Sequence, residues 1–222
     1  MHTHTHTHES PAQTEGRLVP WASHYDFIVN LMTLGHVGLL RGMTVDNAML
    51  KPGESVLDVG CGTGGVTIPA KQRVGEKGRA AGIDPAPEMI AVARRKAQRA
   101  GLEIDFRVGV IESLPYPDGT YDAATSSLMM HHLPRHLQVK GLEEIYRTLK
   151  PGGRILIADM MRPSKSPVKR FLTLAIFHHG HVAESGLEDL LQLLRDAGFE
   201  EVEQLTVRFL TIGFVRARKP AA

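Results

Sequence analysis

One cysteine, one tryptophan and an aromatic share of 5% are what this 222-residue chain has least of. A single thiol, Cys61, can close no internal disulfide and supply no multi-cysteine zinc site, so a disulfide-stapled secreted scaffold is excluded and a reducing, cytoplasmic setting fits. No apolar run reaches the roughly 18 to 20 residues that span a bilayer. The N-terminus lacks the basic-then-apolar order of a secretory signal. Charge of one sign is also missing: 26 Lys and Arg against 24 Asp and Glu leave +2. A pI of 8.7 falls short of the basic extreme that marks nucleic-acid binders, so no nucleic-acid partner is expected. What remains is a composition of 42% hydrophobic and 23% charged residues with 22 Gly and 13 Pro, which is that of a globular protein and suits one α/β domain better than two small ones.

Residues 1–16 alternate His with Thr and carry no apolar pattern, which predicts a disordered tail. His2, His4, His6 and His8 could chelate a transition metal, although a flexible terminal tract or purification tag without a catalytic role is the stronger reading. From residue 17 onward the chain reads as one domain. Ser23 and Asp26 resemble a capping box, Phe27, Ile28, Leu31, Met32 and Leu34 recur at helical spacing, and Gly35 closes that helix. A second helical stretch runs through Leu39, Leu40, Met43 and Val45 toward Leu50, ahead of Pro52 and Gly53.

An alternation then begins. Ser55 to Val59 reads as a strand that meets a glycine cluster and a helix; Arg79 to Ile83 as a strand ending at Asp84; Glu88 to Ala100 as a helix closed by Gly101. Ile104 to Val108 and Tyr121 to Leu128 read as strands, Arg135 to Leu149 as an amphipathic helix, and Pro151-Gly152-Gly153 as a turn into the strand Arg154 to Asp159. Ser185 and Glu188 predict the capping box of a final helix carrying Leu187, Leu190, Leu191 and Leu194, closed by Gly198. Val202 to Arg208 and Leu210 to Ala217 are joined too tightly for a helical crossover and form an expected antiparallel edge pair. Strands alternating with helices imply a parallel sheet covered on both faces.

The strongest chemical signal is Asp58-Val59-Gly60-Cys61-Gly62-Thr63-Gly64-Gly65, at the end of the first strand. Glycines there permit a sharp turn and close approach of a ligand to the backbone, and the next helix offers free N–H groups. Gly60, Gly62 and Gly65 also satisfy the dinucleotide pattern GxGxxG, with Asp84 at the distance of a ribose-binding acid. On these residues alone, an NAD-dependent oxidoreductase stays open.

Longer segments point elsewhere. VLDVGCGTG, GIDPAPEMIAVARRKA, LPYPDGTYDAA and LKPGGRILIAD, in that order between Lys51 and Asp159, resemble the motifs of the class I S-adenosylmethionine-dependent methyltransferases. YDFIVNLMTLG and MMHHLP look most like the branch that methylates ubiquinone and menaquinone precursors. The resemblance implies a Rossmann-like, seven-stranded mixed sheet with helices on both faces and a helical cap. It implies S-adenosylmethionine as cofactor, S-adenosylhomocysteine as product, and contacts at Asp58, Gly60, Cys61, Gly62, Gly64, Asp84, Pro85, Met89, Ile111, Glu112 and Ser127.

Within that frame Asp58 would attract the cationic amino group of the cofactor, or else serve as a turn acid. Asp84 would accept the ribose hydroxyls, or cap a helix, and Met89 would pack on adenine, or fill the core. One departure stands out: where the family has Gly-Asp-Ala after the third strand, this chain has Gly109-Val110-Ile111, and Val110 has no side-chain acceptor for the adenine amino group. A cofactor-binding protein without turnover therefore remains a competing reading.

A methyl group activated by a sulfonium needs mainly an aligned acceptor in a dry site, with a base where the acceptor loses a proton. His131 leads the candidate bases, ahead of His132, His24 and the cluster His178, His179 and His181, and Tyr25 is a second catalytic candidate. Clustered histidines after Phe177 could bind a metal, but their spacing fixes no geometry. Residues 161–184 interrupt the rhythm with apolar Phe171, Leu172, Ile176 and Phe177 behind Lys165, Lys169 and Arg170. With residues 17–50 they are expected to cap the site over a small, apolar or aromatic acceptor, ordinary helix packing and peripheral membrane contact being the alternatives. A monomer or homodimer is expected, and carbon, nitrogen and oxygen acceptors all stay open.

Overall fold

The computed structural model describes residues 14, 30, 31, 33, 35–161 and 187–221. Helix α1 (Val37–Asn47) buries Leu40, Thr44 and Val45. Strand β1 (Ser55–Val59) follows, then α2 (Thr67–Val74), β2 (Arg79–Asp84) and α3 (Pro87–Arg99). Helix α3 has Pro87 in its first turn beside acidic Glu88 and ends on Lys96 and Arg99, an arrangement suited to the helix dipole. Then come β3 (Asp105–Val108), β4 (Tyr121–Ser127), a 3₁₀ turn at Met130–His132, α4 (Arg135–Thr148), β5 (Leu149–Met160), α5 (Leu187–Asp196), β6 (Glu200–Phe209) and β7 (Ile212–Arg218).

The seven strands form one sheet in the order β3-β2-β1-β4-β5-β7-β6. Strands β1 to β5 are parallel, and β7 runs antiparallel to both β5 and β6. The expected mixed sheet and its antiparallel terminal pair are therefore present, with β6 at the edge. Strand alternation sends side chains to opposite faces. Leu57, Val59, Ile155, Ile157 and Val215 pack with Leu142 and Ile145 of α4 and Leu190 and Leu194 of α5. Val56, Ala80, Ala123, Leu156 and Phe214 pack with Leu40 of α1 and Ala70 and Val74 of α2.

Two local readings differ from expectation. The Pro151-Gly152-Gly153 segment is a bulge within β5 rather than a turn before it: Leu149 pairs with Tyr121 and Arg154 with Ala123, so the extra residues bow out of register. Gly152, at φ 73, donates its N–H toward the carbonyls of Lys219 and Pro220 at the far end of the chain. Helix α1 also stops before Leu50. Met49 is left-handed, at φ 52, and Arg154 of β5 receives the helix end by donating to the carbonyls of Ala48 and Met49 at 2.8 and 2.6 Å.

Ser185, Tyr25, His24, the His178 to His181 cluster, part of the expected cap segment 17–50 and nearly all of the segment 161–184 lie outside the described residues. Among the described residues, no helix is long and apolar enough to cross a membrane, and no group of three or more His, Cys, Asp and Glu could hold a metal.

Candidate active site

The chain leaves β1 for β2 and β3 on one side and returns to β4 on the other, so a crevice opens at the carboxyl ends of β1 and β4. Two cavities occupy it and share Gly60 and Leu128 as walls. Gly60 stands at φ 72, and a Cβ there would lie 2.4 Å from the Met129 side chain, so the turn after β1 is pressed against the loop after β4. The N–H groups of Gly60 and Cys61 both donate to the Ile83 carbonyl, at 2.9 and 3.0 Å.

The first cavity is lined by Gly60, Gly62, Asp84, Pro85, Met89, Ile111 and Glu112 among the expected residues, together with Val59, Ile83, Val110, Met129 and His132. Asp84 accepts the Gly62 N–H at 2.9 Å on one carboxylate oxygen and the Ala86 N–H at 3.0 Å on the other. These bonds lock the glycine turn to the end of β2 and leave each oxygen a further lone pair. Burial raises the Asp84 pKa despite both bonds.

The second cavity is lined by Asp58, Cys61 and Ser127 among the expected residues, and by Arg41, Thr63 and Gly65. Asp58 is only 2% exposed. It accepts the hydroxyls of Thr67 at 2.6 Å and Thr125 at 2.9 Å. Burial still pushes its carboxyl up to about 6, the two hydroxyls acting in the opposite direction. The Arg41 guanidinium lies against Gly65, where a Cβ would come within 2.5 Å of its Nε. Burial also pushes the Cys61 thiol well up, which makes it a poor nucleophile.

Gly64 lines neither cavity. At φ 77 it faces Phe106 and Ala93, where a Cβ would meet ring and methyl at 3.0 and 3.3 Å, so it packs the turn onto α3 and β3.

His131 also stands outside both linings, one residue from His132, and the two rings lie 3.9 Å apart. Its Nδ1 is 2.5 Å from Oδ1 of Asp159 and its backbone N–H donates to Oδ2 at 3.1 Å. Asp159, 1% exposed at the end of β5, also accepts the Met160 N–H at 2.7 Å. A carboxylate on Nδ1 holds the proton there and leaves Nε2 as the basic nitrogen.

Asp159, Arg41, Thr63, Thr67 and Thr125 were not singled out by the sequence. Asp159 had a signal: like Asp58 and Asp84, it is an acid at the carboxyl end of a parallel strand.

The pair of cavities suits a molecule with a flat apolar ring and a diol at one end and a zwitterion at the other. Apolar Ile83, Met89, Val110 and Ile111 flank one carboxylate in the first, and a cation and an anion share the second.

Comparison with known proteins bears on that fit. Residues 56–153 match a family model described as a methyltransferase domain. The ubiquinone/menaquinone biosynthesis C-methyltransferase UbiE of Escherichia fergusonii is 30% identical, with 87% of this chain and 84% of that protein covered. The chain belongs to the class I S-adenosylmethionine-dependent methyltransferases. A solved S-adenosylmethionine-dependent methyltransferase from Aquifex aeolicus is 26% identical with a TM-score of 0.68, over 87% of this chain and 97% of that one. A Haloferax volcanii methyltransferase complex with the Trm112 activator gives a TM-score of 0.70 at 19% identity over 94% of this chain and all of that one, a likeness of fold. The cofactor of this methyltransferase is therefore S-adenosylmethionine, and the NAD reading of its glycine pattern is set aside.

Proposed function

We propose that this methyltransferase acts on a small, apolar or aromatic acceptor, with ring-carbon methylation of a quinone-like hydroquinone favoured. The C-methyltransferase relatives support this reading, as does the apolar sequence of residues 161–184. In it, Asp84 receives the ribose hydroxyls while Ile83, Met89 and Ile111 enclose adenine. Asp58 draws the amino group, Arg41 the carboxylate, and Thr63 and Ser127 complete that lobe. Bound S-adenosylmethionine supplies an electrophilic sulfonium methyl group.

The observation that carries a catalytic role is the His131–Asp159 pair. Asp159 holds the Nδ1 proton, and His131 Nε2 takes the hydroxyl proton of the acceptor, which makes the ring carbon more nucleophilic. His132 is a second candidate because it lines the first cavity. Tyr25, the second catalytic candidate from the sequence, lies outside the described residues.

The deciding assay follows isotopically labelled methyl transfer to a reduced naphthoquinone with an open ring carbon, to a simple phenol, and to phosphatidylethanolamine. Label on a ring carbon of the naphthoquinol is expected. Label only on phenolic oxygen or headgroup nitrogen would make this an O- or N-methyltransferase instead.

A further inference from the structure

Val110 lines the first cavity with a hydrocarbon side chain, which offers the adenine end no hydrogen-bond acceptor. Two residues later Glu112 lines the same cavity. One of its oxygens, Oε1, accepts the Thr14 hydroxyl at 2.8 Å. The other, Oε2, is buried and has no hydrogen-bond partner among the described residues. A carboxylate oxygen removed from water without a donor is costly, and a structure tolerates it where a ligand brings the donor. Among the described residues, Asp84 and Glu112 are the two carboxylates lining this cavity, and both oxygens of Asp84 already serve the Gly62 and Ala86 N–H groups beside the glycine turn. An exocyclic amino group is a donor with no competing demand, and it would meet both the charge and the open lone pairs of Oε2.

We propose that Glu112 is the specificity residue for adenine in this chain: its carboxylate accepts the 6-amino group in place of the side chain missing at Val110, while Thr14 holds its other oxygen. The proposal rests on the placement of adenosine in the first cavity given above. It makes discrimination at position 6 of the purine depend on one side chain.

The test compares, by calorimetry on the full chain, S-adenosylhomocysteine with its analogue bearing hydrogen in place of the 6-amino group. The wild type should prefer the amino form by roughly tenfold or more, the range for a hydrogen bond to a charged group. Glu112→Ala should bring the ratio close to one while leaving affinity for the 6-hydrogen analogue within a few-fold. Adding Val110→Asp to that variant should restore the preference. Glu112→Met, close in shape and without an acceptor oxygen, stands in with the same expectation if the alanine variant does not fold. An undiminished preference in either variant overturns the proposal. Failure of the underlying placement reads differently: Asp84→Ala would then leave S-adenosylhomocysteine binding unchanged.

Discussion

Burial lifts the Asp58 carboxyl to about 6 although two threonine hydroxyls favour its ionised form. Its folded value lies above the ordinary 3.8, so the folded protein keeps this proton longer than the unfolded chain does. The stability that Asp58 contributes is complete below about pH 4 and lost as the pH rises through about 6. Asp58→Asn has no charge to bury, so the variant should gain stability relative to wild type across that window, read as the difference between urea midpoints. Taking the difference cancels Glu54, Asp122 and Glu144, whose lowered values carry the opposite sign. Binding should move the other way. Wild-type affinity for S-adenosylhomocysteine should weaken as Asp58 protonates, and the asparagine variant should be weaker and less dependent on pH over the same range by calorimetry, with Asp84 still titrating.

The His131–Asp159 pair makes a second residue-level claim. His131→Ala should lower turnover by about two to four orders of magnitude if it is the base, with product affinity little changed. Asp159→Asn keeps the shape but can present an amide N–H to Nδ1, which favours the tautomer with its proton on Nε2, so it should lower turnover with product affinity little changed. Unchanged turnover in Asp159→Asn would assign Asp159 to packing alone. Full turnover of His131→Ala beside an inactive His132→Ala would transfer the role to the neighbouring ring.

Among the elements, α1 depends most on a distant residue. Arg154 of β5 donates to the two carbonyls that end α1 and pairs with Glu54 at 2.6 Å, at a site where the two side chains are 9% and 16% exposed. Arg154→Met would leave both carbonyls without this donor and Glu54 with the Lys51 N–H in place of its cation. The expected loss is about 3 to 5 kcal/mol, the usual cost of breaking a buried pair from one side, measured by urea unfolding. The shortened α1 and lengthened β5 were hard to see in the sequence for the same reason. Arg154, Lys219 and Pro220 act on segments far away along the chain, whereas propensity registers only neighbours.

What depends on local pattern was legible: the buried strands Ser55–Val59 and Arg79–Asp84, the helix expected over Glu88 to Ala100 and found at Pro87–Arg99, and the glycine turn with its two acids. The fold brings Thr67, Thr125 and Arg41 to the site from separate elements that share no motif with Asp58. Gly64 shows the converse, since it belongs to the motif but supports the turn from behind. Gly64→Ala should therefore destabilise the fold, through its positive φ and its contact with Phe106, more than it alters ligand contacts. A lowered melting temperature with product affinity retained in the folded fraction would show this.

For the molecule as a whole, the two cavities meeting at Gly60 and Leu128 are the feature with the widest consequence. On the proposed assignment they grip the adenosine and amino-acid ends, which are the same before and after the methyl group leaves. Spent and fresh cofactor then compete for one seat on nearly equal terms, and each catalytic cycle fills it with an inhibitor. S-adenosylhomocysteine should inhibit competitively with the methyl donor, at concentrations near or below those at which the donor saturates. Initial-rate measurements at several donor concentrations would show it as lines of common maximal velocity. The rate of this enzyme in a cell would then follow the ratio of donor to product rather than donor alone, which ties it to whatever reaction removes the thioether.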